Sequence, residues 1–90
     1  MTFETDFTVS SIIDTEEPII TIGDIDKGLI IYPDHAIMHT ANLKVDNAQN
    51  VAWAENKRIH LVASVSFGEE YSYVRIYING VLDREFEYNP

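Results

Sequence analysis

At 90 residues and 46% hydrophobic, without a cysteine, the chain is sized for one small domain held by apolar packing, and disulfides and thiolate chemistry are excluded. Six basic against fifteen acidic residues give a formal charge of −9. That charge repels phosphate backbones and anionic lipid, so nucleic-acid and membrane-surface partners are not expected. No apolar run reaches the length of about 18 residues that marks a spanning helix, and no apolar stretch follows a basic start as in a secretory leader. A domain this small buries only about 60% of its unfolded surface. One Trp, five Tyr and four Phe supply the bulk such a core needs.

Short β-prone runs alternate with turn residues from one end to the other, which predicts an all-β, antiparallel β-sandwich in one domain over residues 1–90. Strands are expected at residues 7–13, 19–22, 29–32, 36–39 and 43–45. Between them, 14–18, 23–28, 33–34 and 41–42 are rich in Gly, Pro, Asp, Asn and Glu. A helix has one place to form, residues 47–56, where Ala48, Val51, Ala52 and Glu55 fall at helical spacing. The stretch is short for a helix, so a single turn or an irregular strand fits equally well.

The next strand spans Arg58–Phe67. Ile59, Leu61, Ala63, Val65 and Phe67 face one side, and His60, Val62, Ser64 and Ser66 the other, as in a central strand of a sandwich. Gly68-Glu69-Glu70 then turns the chain back into a strand over 71–78. Asn79-Gly80 tolerates the two positive φ angles of a type I′ turn and leads into Val81–Tyr88. Two registers are open for this hairpin. A plain two-residue turn opposes Tyr77 to Leu82, Ile76 to Asp83, Arg75 to Arg84 and Tyr73 to Phe86. A bulge after the turn instead aligns Val74, Ile76 and Ile78 with Leu82 and Phe86.

The run Lys57-Arg58-Ile59-His60-Leu61-Val62-Ala63-Ser64-Val65, an acidic turn, then Val74-Arg75-Ile76-Tyr77-Ile78-Asn79-Gly80-Val81-Leu82 resembles the laminin-G-like and pentraxin-like domains of the concanavalin A-like jelly-roll class. There a "W-H-H-V-A-V" strand precedes a "V-x-L-Y-V-N-G" hairpin. Phe7-Thr8-Val9, Ile19-Ile20-Thr21-Ile22-Gly23-Asp24 and Gly28-Leu29-Ile30-Ile31-Tyr32 resemble further strands of that class, so the likeness covers residues 7–88. Ile59 stands where the family has Trp, and Ser10-Ser11 where a polar-then-aromatic pair is common. The resemblance implies a truncated jelly roll of about half the family's length. Its open edges, in the 71–88 hairpin or the 7–13 strand, would then contact another copy or the rest of a parent chain.

Candidate chemistry is sparse. Asp24 and Asp26 are spaced to share a strand face, but Gly28 stands where a glycosidase on such a fold would carry a third carboxylate. The same pair, with Asp14 and Glu16, is the candidate calcium site, in keeping with the family's use of sandwich loops. His35 and His39, four apart on an extended segment, lie about 13 Å apart, too far to share a metal. His60 matches a structural His of the family. Ser and His fall on no nucleophile turn, so no enzyme is expected. Tyr71, Tyr73, Tyr77 and Tyr88 remain as candidate ligand contacts, because exposed aromatics stack on sugar rings or anchor protein partners. The expectation is a non-catalytic recognition or adhesion module at a cell or virion surface or outside the cell, with a glycan as leading ligand and a protein as the other. The alternative is a structural domain that packs on neighbouring domains or identical copies.

Overall fold

The computed structural model describes residues 1–9, 17–24, 27–40, 43–48 and 53–88. These form eight strands and no helix: β1 Thr2–Thr8, β2 Ile20–Asp24, β3 Lys27–Ile31, β4 Ala36–Thr40, β5 Leu43–Asp46, β6 Arg58–Phe67, β7 Ser72–Ile78 and β8 Val81–Tyr88. They build two four-stranded antiparallel sheets, ordered β1-β6-β7-β8 and β2-β3-β4-β5. The chain is an all-β sandwich, as its period-two patterning predicts.

Alternation decides what lies between the layers. Ile59, Leu61, Ala63 and Val65 of β6 and Val74, Ile76 and Ile78 of β7 are buried. They pack with Leu29 and Ile31 of β3, Ala36 and Met38 of β4 and Val45 of β5 in one cluster. The intervening residues of β6 and β7 turn to the opposite face. β6 therefore is the central strand it was expected to be, paired with β1 on one side and β7 on the other.

Two expectations are corrected. The first strand runs over Thr2–Thr8, not 7–13, and residues 10–13 lie outside the described region. Phe3 and Phe7 point to the core, while Thr2, Glu4, Asp6 and Thr8 face water, so the strand reads as polar although its period is two. Phe67 shares the inner parity of β6 yet is 69% exposed. With ten residues β6 is about 33 Å long, whereas the four- and five-residue strands opposite span about 17 Å at most, so its end overhangs. The edges of this sheet are β1 and β8, so the first strand and the 71–88 hairpin each supply one, the hairpin through its second strand, with β7 covered on both sides.

The β7–β8 hairpin combines both registers. Asn79 (φ 52°) and Gly80 (φ 80°) form the left-handed turn, with Ile78 opposite Val81 and Tyr77 opposite Leu82. Asp83 is then the extra residue of a bulge, and Ile76 pairs with Arg84, Arg75 with Glu85 and Val74 with Phe86. The bulge replaces an Arg–Arg opposition by Arg75–Glu85 and brings Phe86 against the core. Leu82 stays with Tyr77 on the outer side and is 44% exposed, so of the two residues a bulge was expected to bring in, only Phe86 arrives.

Two asparagines end ladders in the same way. Asn79 donates its backbone N–H to the His60 carbonyl (2.8 Å), and its Oδ1 accepts from the His60 N–H (2.8 Å). Asn47 does this with Ala36, at 3.0 Å through its backbone and 2.9 Å through Oδ1. The carboxamide oxygen thus stands in for a strand carbonyl where the chain turns away. Asn79→Ala should lose that bond and add left-handed strain, costing about 1–2 kcal/mol in urea unfolding, whereas Asn79→Gly keeps the turn and costs less. Equal losses would assign the residue's contribution to the side-chain bond alone.

The two sheets are also tied at one end. Trp53, just ahead of β6, packs its ring on Phe7 of β1 (centroids 5.4 Å, planes at 53°) and donates Nε1–H to the Pro33 carbonyl in the β3–β4 turn (2.8 Å). Asn56 donates its backbone N–H to the Val9 carbonyl (2.7 Å), joining the two segments that cross between sheets.

Candidate functional site

The outer face of the β1-β6-β7-β8 sheet brings aromatic and charged side chains together. Down β7, Tyr73, Arg75 and Tyr77 alternate with the buried Ser72, Val74, Ile76 and Ile78, and each is half-buried. Strand rise places the two tyrosines about 13 Å apart with the guanidinium between them. Their neighbours follow from register: Ser66 and Glu87 flank Tyr73, Ser64 and Glu85 flank Arg75, and Val62 and Leu82 flank Tyr77. One end of the strip, Val62-Tyr77-Leu82, is apolar; the other is hydroxylic and acidic.

Arg75 is held in place twice. Its Nε donates to Glu85 Oε2 at 2.7 Å, and its guanidinium carbon lies 4.9 Å from the centre of the Tyr73 ring. The hydrogen bond to Glu85, opposed in part by desolvation, raises the guanidinium above its ordinary value, so it is charged at every working pH. The pair is partly exposed and adds little to stability. Its consequence is local: an oriented, partly exposed guanidinium beside an aromatic ring, with N–H donors besides the Nε–H that Glu85 takes.

Toward β1 the face carries two cross-strand polar contacts, a hydrogen bond between His60 Nε2 and Glu4 Oε1 at 2.8 Å and an ion pair of Arg58 Nε with Asp6 Oδ1 at 3.4 Å. His60, expected as a packing residue, points outward here. These pairs could not be read from sequence, because β1 was expected five residues later. The Arg75–Glu85 pair was hidden by the bulge.

The other expected site residues are dispersed. Tyr71 lies in the β6–β7 turn, 46% exposed, and stands off the strip. Gly68 is required there, since a Cβ on it would run into the Tyr71 carbonyl oxygen. The backbone of Tyr88 pairs with Ser72 at the end of β8. Asp24 closes β2, paired through the backbone with Lys27, while Asp14, Glu16 and Asp26 lie outside the described residues. Among the described residues no three His, Asp or Glu side chains converge as a metal site would require. His35 is engaged in the β3–β4 turn, its Nδ1 2.6 Å from Asp34 Oδ1 and its ring stacked on Tyr32 at 4.5 Å; His39 is on β4.

What the strip can do is non-covalent: aromatic faces to stack on, a fixed donor fork, and hydroxyl and carboxylate acceptors beside it. Comparison with known protein families, with characterised proteins and with solved structures finds no match for this chain.

Proposed function

We propose that this chain is a non-catalytic recognition module that binds a saccharide on the outer face of the β1-β6-β7-β8 sheet. The observation that carries the reading is the Tyr73-Arg75-Tyr77 strip, with Arg75 fixed between the Tyr73 ring and Glu85. Saccharides present apolar ring faces edged by hydroxyl groups, and such a surface wants aromatic planes flanked by oriented donors and acceptors. The likeness of the β6–β7–β8 run to laminin-G-like domains points to the same ligand class and to a setting at a cell or virion surface, by analogy of fold alone. The test is a glycan array on the intact chain, followed by Tyr73→Ala and Tyr77→Ala. Each substitution should weaken binding by about tenfold, about 1.4 kcal/mol, with the melting temperature little changed. Binding unaffected by both would remove the strip as the site.

A second reading has its own support. Val81 (54%), Leu82 (44%), Phe67 (69%) and Met1 (49%) leave apolar surface exposed along the two edge strands and at the overhanging end. An assembly domain would cover such surface with a neighbouring domain or another copy. Sedimentation over a wide concentration range separates the readings, since self-association predicts a mass that rises with concentration.

A further inference from the structure

Resting on the reading that this face takes a saccharide, we infer that the saccharide is uncharged, and that the face discriminates against sulfated and carboxylated chains. The reason is its charge pairing. Among the described residues, the basic side chains of this face are Arg58, His60 and Arg75, and each already meets a carboxylate: Asp6 at 3.4 Å, Glu4 at 2.8 Å and Glu85 at 2.7 Å. An anionic chain would have to displace one of those carboxylates to gain a cation, and Glu87, opposite Tyr73 on the same face, adds a further negative charge. The whole chain carries −9, so the long-range field opposes a polyanion as well.

The same pairing argues against a basic peptide. Three of the four carboxylates on the face already have a side-chain partner, Arg58, His60 or Arg75, so a polycation attracted by the overall charge would have to displace those partners to reach them. What stays available is suited to hydroxyl groups, which accept from the guanidinium N–H groups and donate to carboxylate oxygens without a charge to desolvate. Glu85 is then the specificity determinant. By occupying Arg75 it converts a ready anion site into a donor for neutral ligands.

The experiment measures binding of the intact chain, at physiological salt, to neutral oligosaccharides, to heparin as the sulfated probe and to an oligolysine peptide, with wild type, Glu85→Gln and Glu85→Gln/Arg75→Gln. Wild type should bind a neutral saccharide in preference to both charged probes. Glu85→Gln should strengthen heparin binding by about tenfold, and the double variant should lose that gain, while circular dichroism shows all three folded. Wild-type preference for heparin or oligolysine would overturn the inferred selection, as would a Glu85→Gln variant that gains nothing for heparin. Absence of binding to every saccharide, neutral and sulfated, would overturn the saccharide reading itself.

Discussion

Leu61→Ala is expected to remove about 2–5 kcal/mol of stability, among the largest effects of any single truncation in this chain. Leu61 is 0% exposed in the middle of β6, paired with Thr5 of β1 and Ile78 of β7, and its side chain lies in the cluster shared with Leu29, Ile31 and Met38. Removing three carbons there opens a cavity between layers that strands on both sides hold apart, so collapse is limited. Urea unfolding followed by far-UV circular dichroism reads the loss directly. The companion Phe67→Ala provides the contrast: it has the same strand parity, but at 69% exposed it should cost under about 0.5 kcal/mol. Comparable losses for the two would mean that β6 is covered along its whole length.

Trp53→Ala should cost nearly as much, about 2–3 kcal/mol, for a different reason. Trp53 is half-buried and adds little to the centre of the core, but it touches Phe7 of one sheet and the Pro33 carbonyl beside the other. Trp53→Phe separates the two contributions. It keeps most of the ring packing and loses the Nε1–H bond, leaving the Pro33 carbonyl without that donor, at about 1 kcal/mol. Hydrogen exchange adds a spatial reading. In Trp53→Ala the amides near Tyr32 and His35 should exchange faster than in wild type, while those of the β7–β8 hairpin should keep their protection. Uniform acceleration across both sheets would show that Trp53 acts on global stability without a local tie.

Much of the fold was legible because its strands obey a period of two around apolar residues. Arg58–Phe67 and Val81–Tyr88 match the expected limits, and β2 to β5 and β7 differ by one or two residues at their ends. The first strand was not legible for a physical reason. A strand at a sheet edge keeps its outer face in water, so Glu4, Asp6, Thr2 and Thr8 on that face, with Thr5 on the inner one, dilute the two phenylalanines that carry the pattern. Residues 7–13 looked more β-prone because Val9, Ile12 and Ile13 are concentrated there. The Asn79-Gly80 turn was readable from two residues, whereas the bulge at Asp83 was not. Choosing it depends on pairing Arg75 with Glu85 and seating Phe86, which are tertiary gains that local propensity does not encode.

The same limit governs the candidate site. Tyr73 and Tyr77 were visible as outward aromatics of an alternating strand, and they do share a face. Tyr71 was expected in the same strand, but β7 begins at Ser72 and a turn residue does not inherit the strand's direction. Arg75 and Glu85 became a pair only through the bulge, and the cross-strand contacts of Glu4 and Asp6 arose only through the true register of β1 on β6. Charge pairing across strands is therefore what the structure adds, and it bears directly on which ligands the face can accept.

The outer face of β7 is the surface proposed to receive the ligand. It is tested most directly by backbone amide NMR of the intact chain, titrated with the neutral oligosaccharide that binds best on an array. Shift changes should concentrate at Tyr73, Arg75 and Tyr77 and at their cross-strand neighbours Val62, Ser64 and Glu85, with the β2-β3-β4-β5 sheet unaffected. Changes confined to that other sheet or to the hairpin turns, with the β7 strip silent, would contradict it.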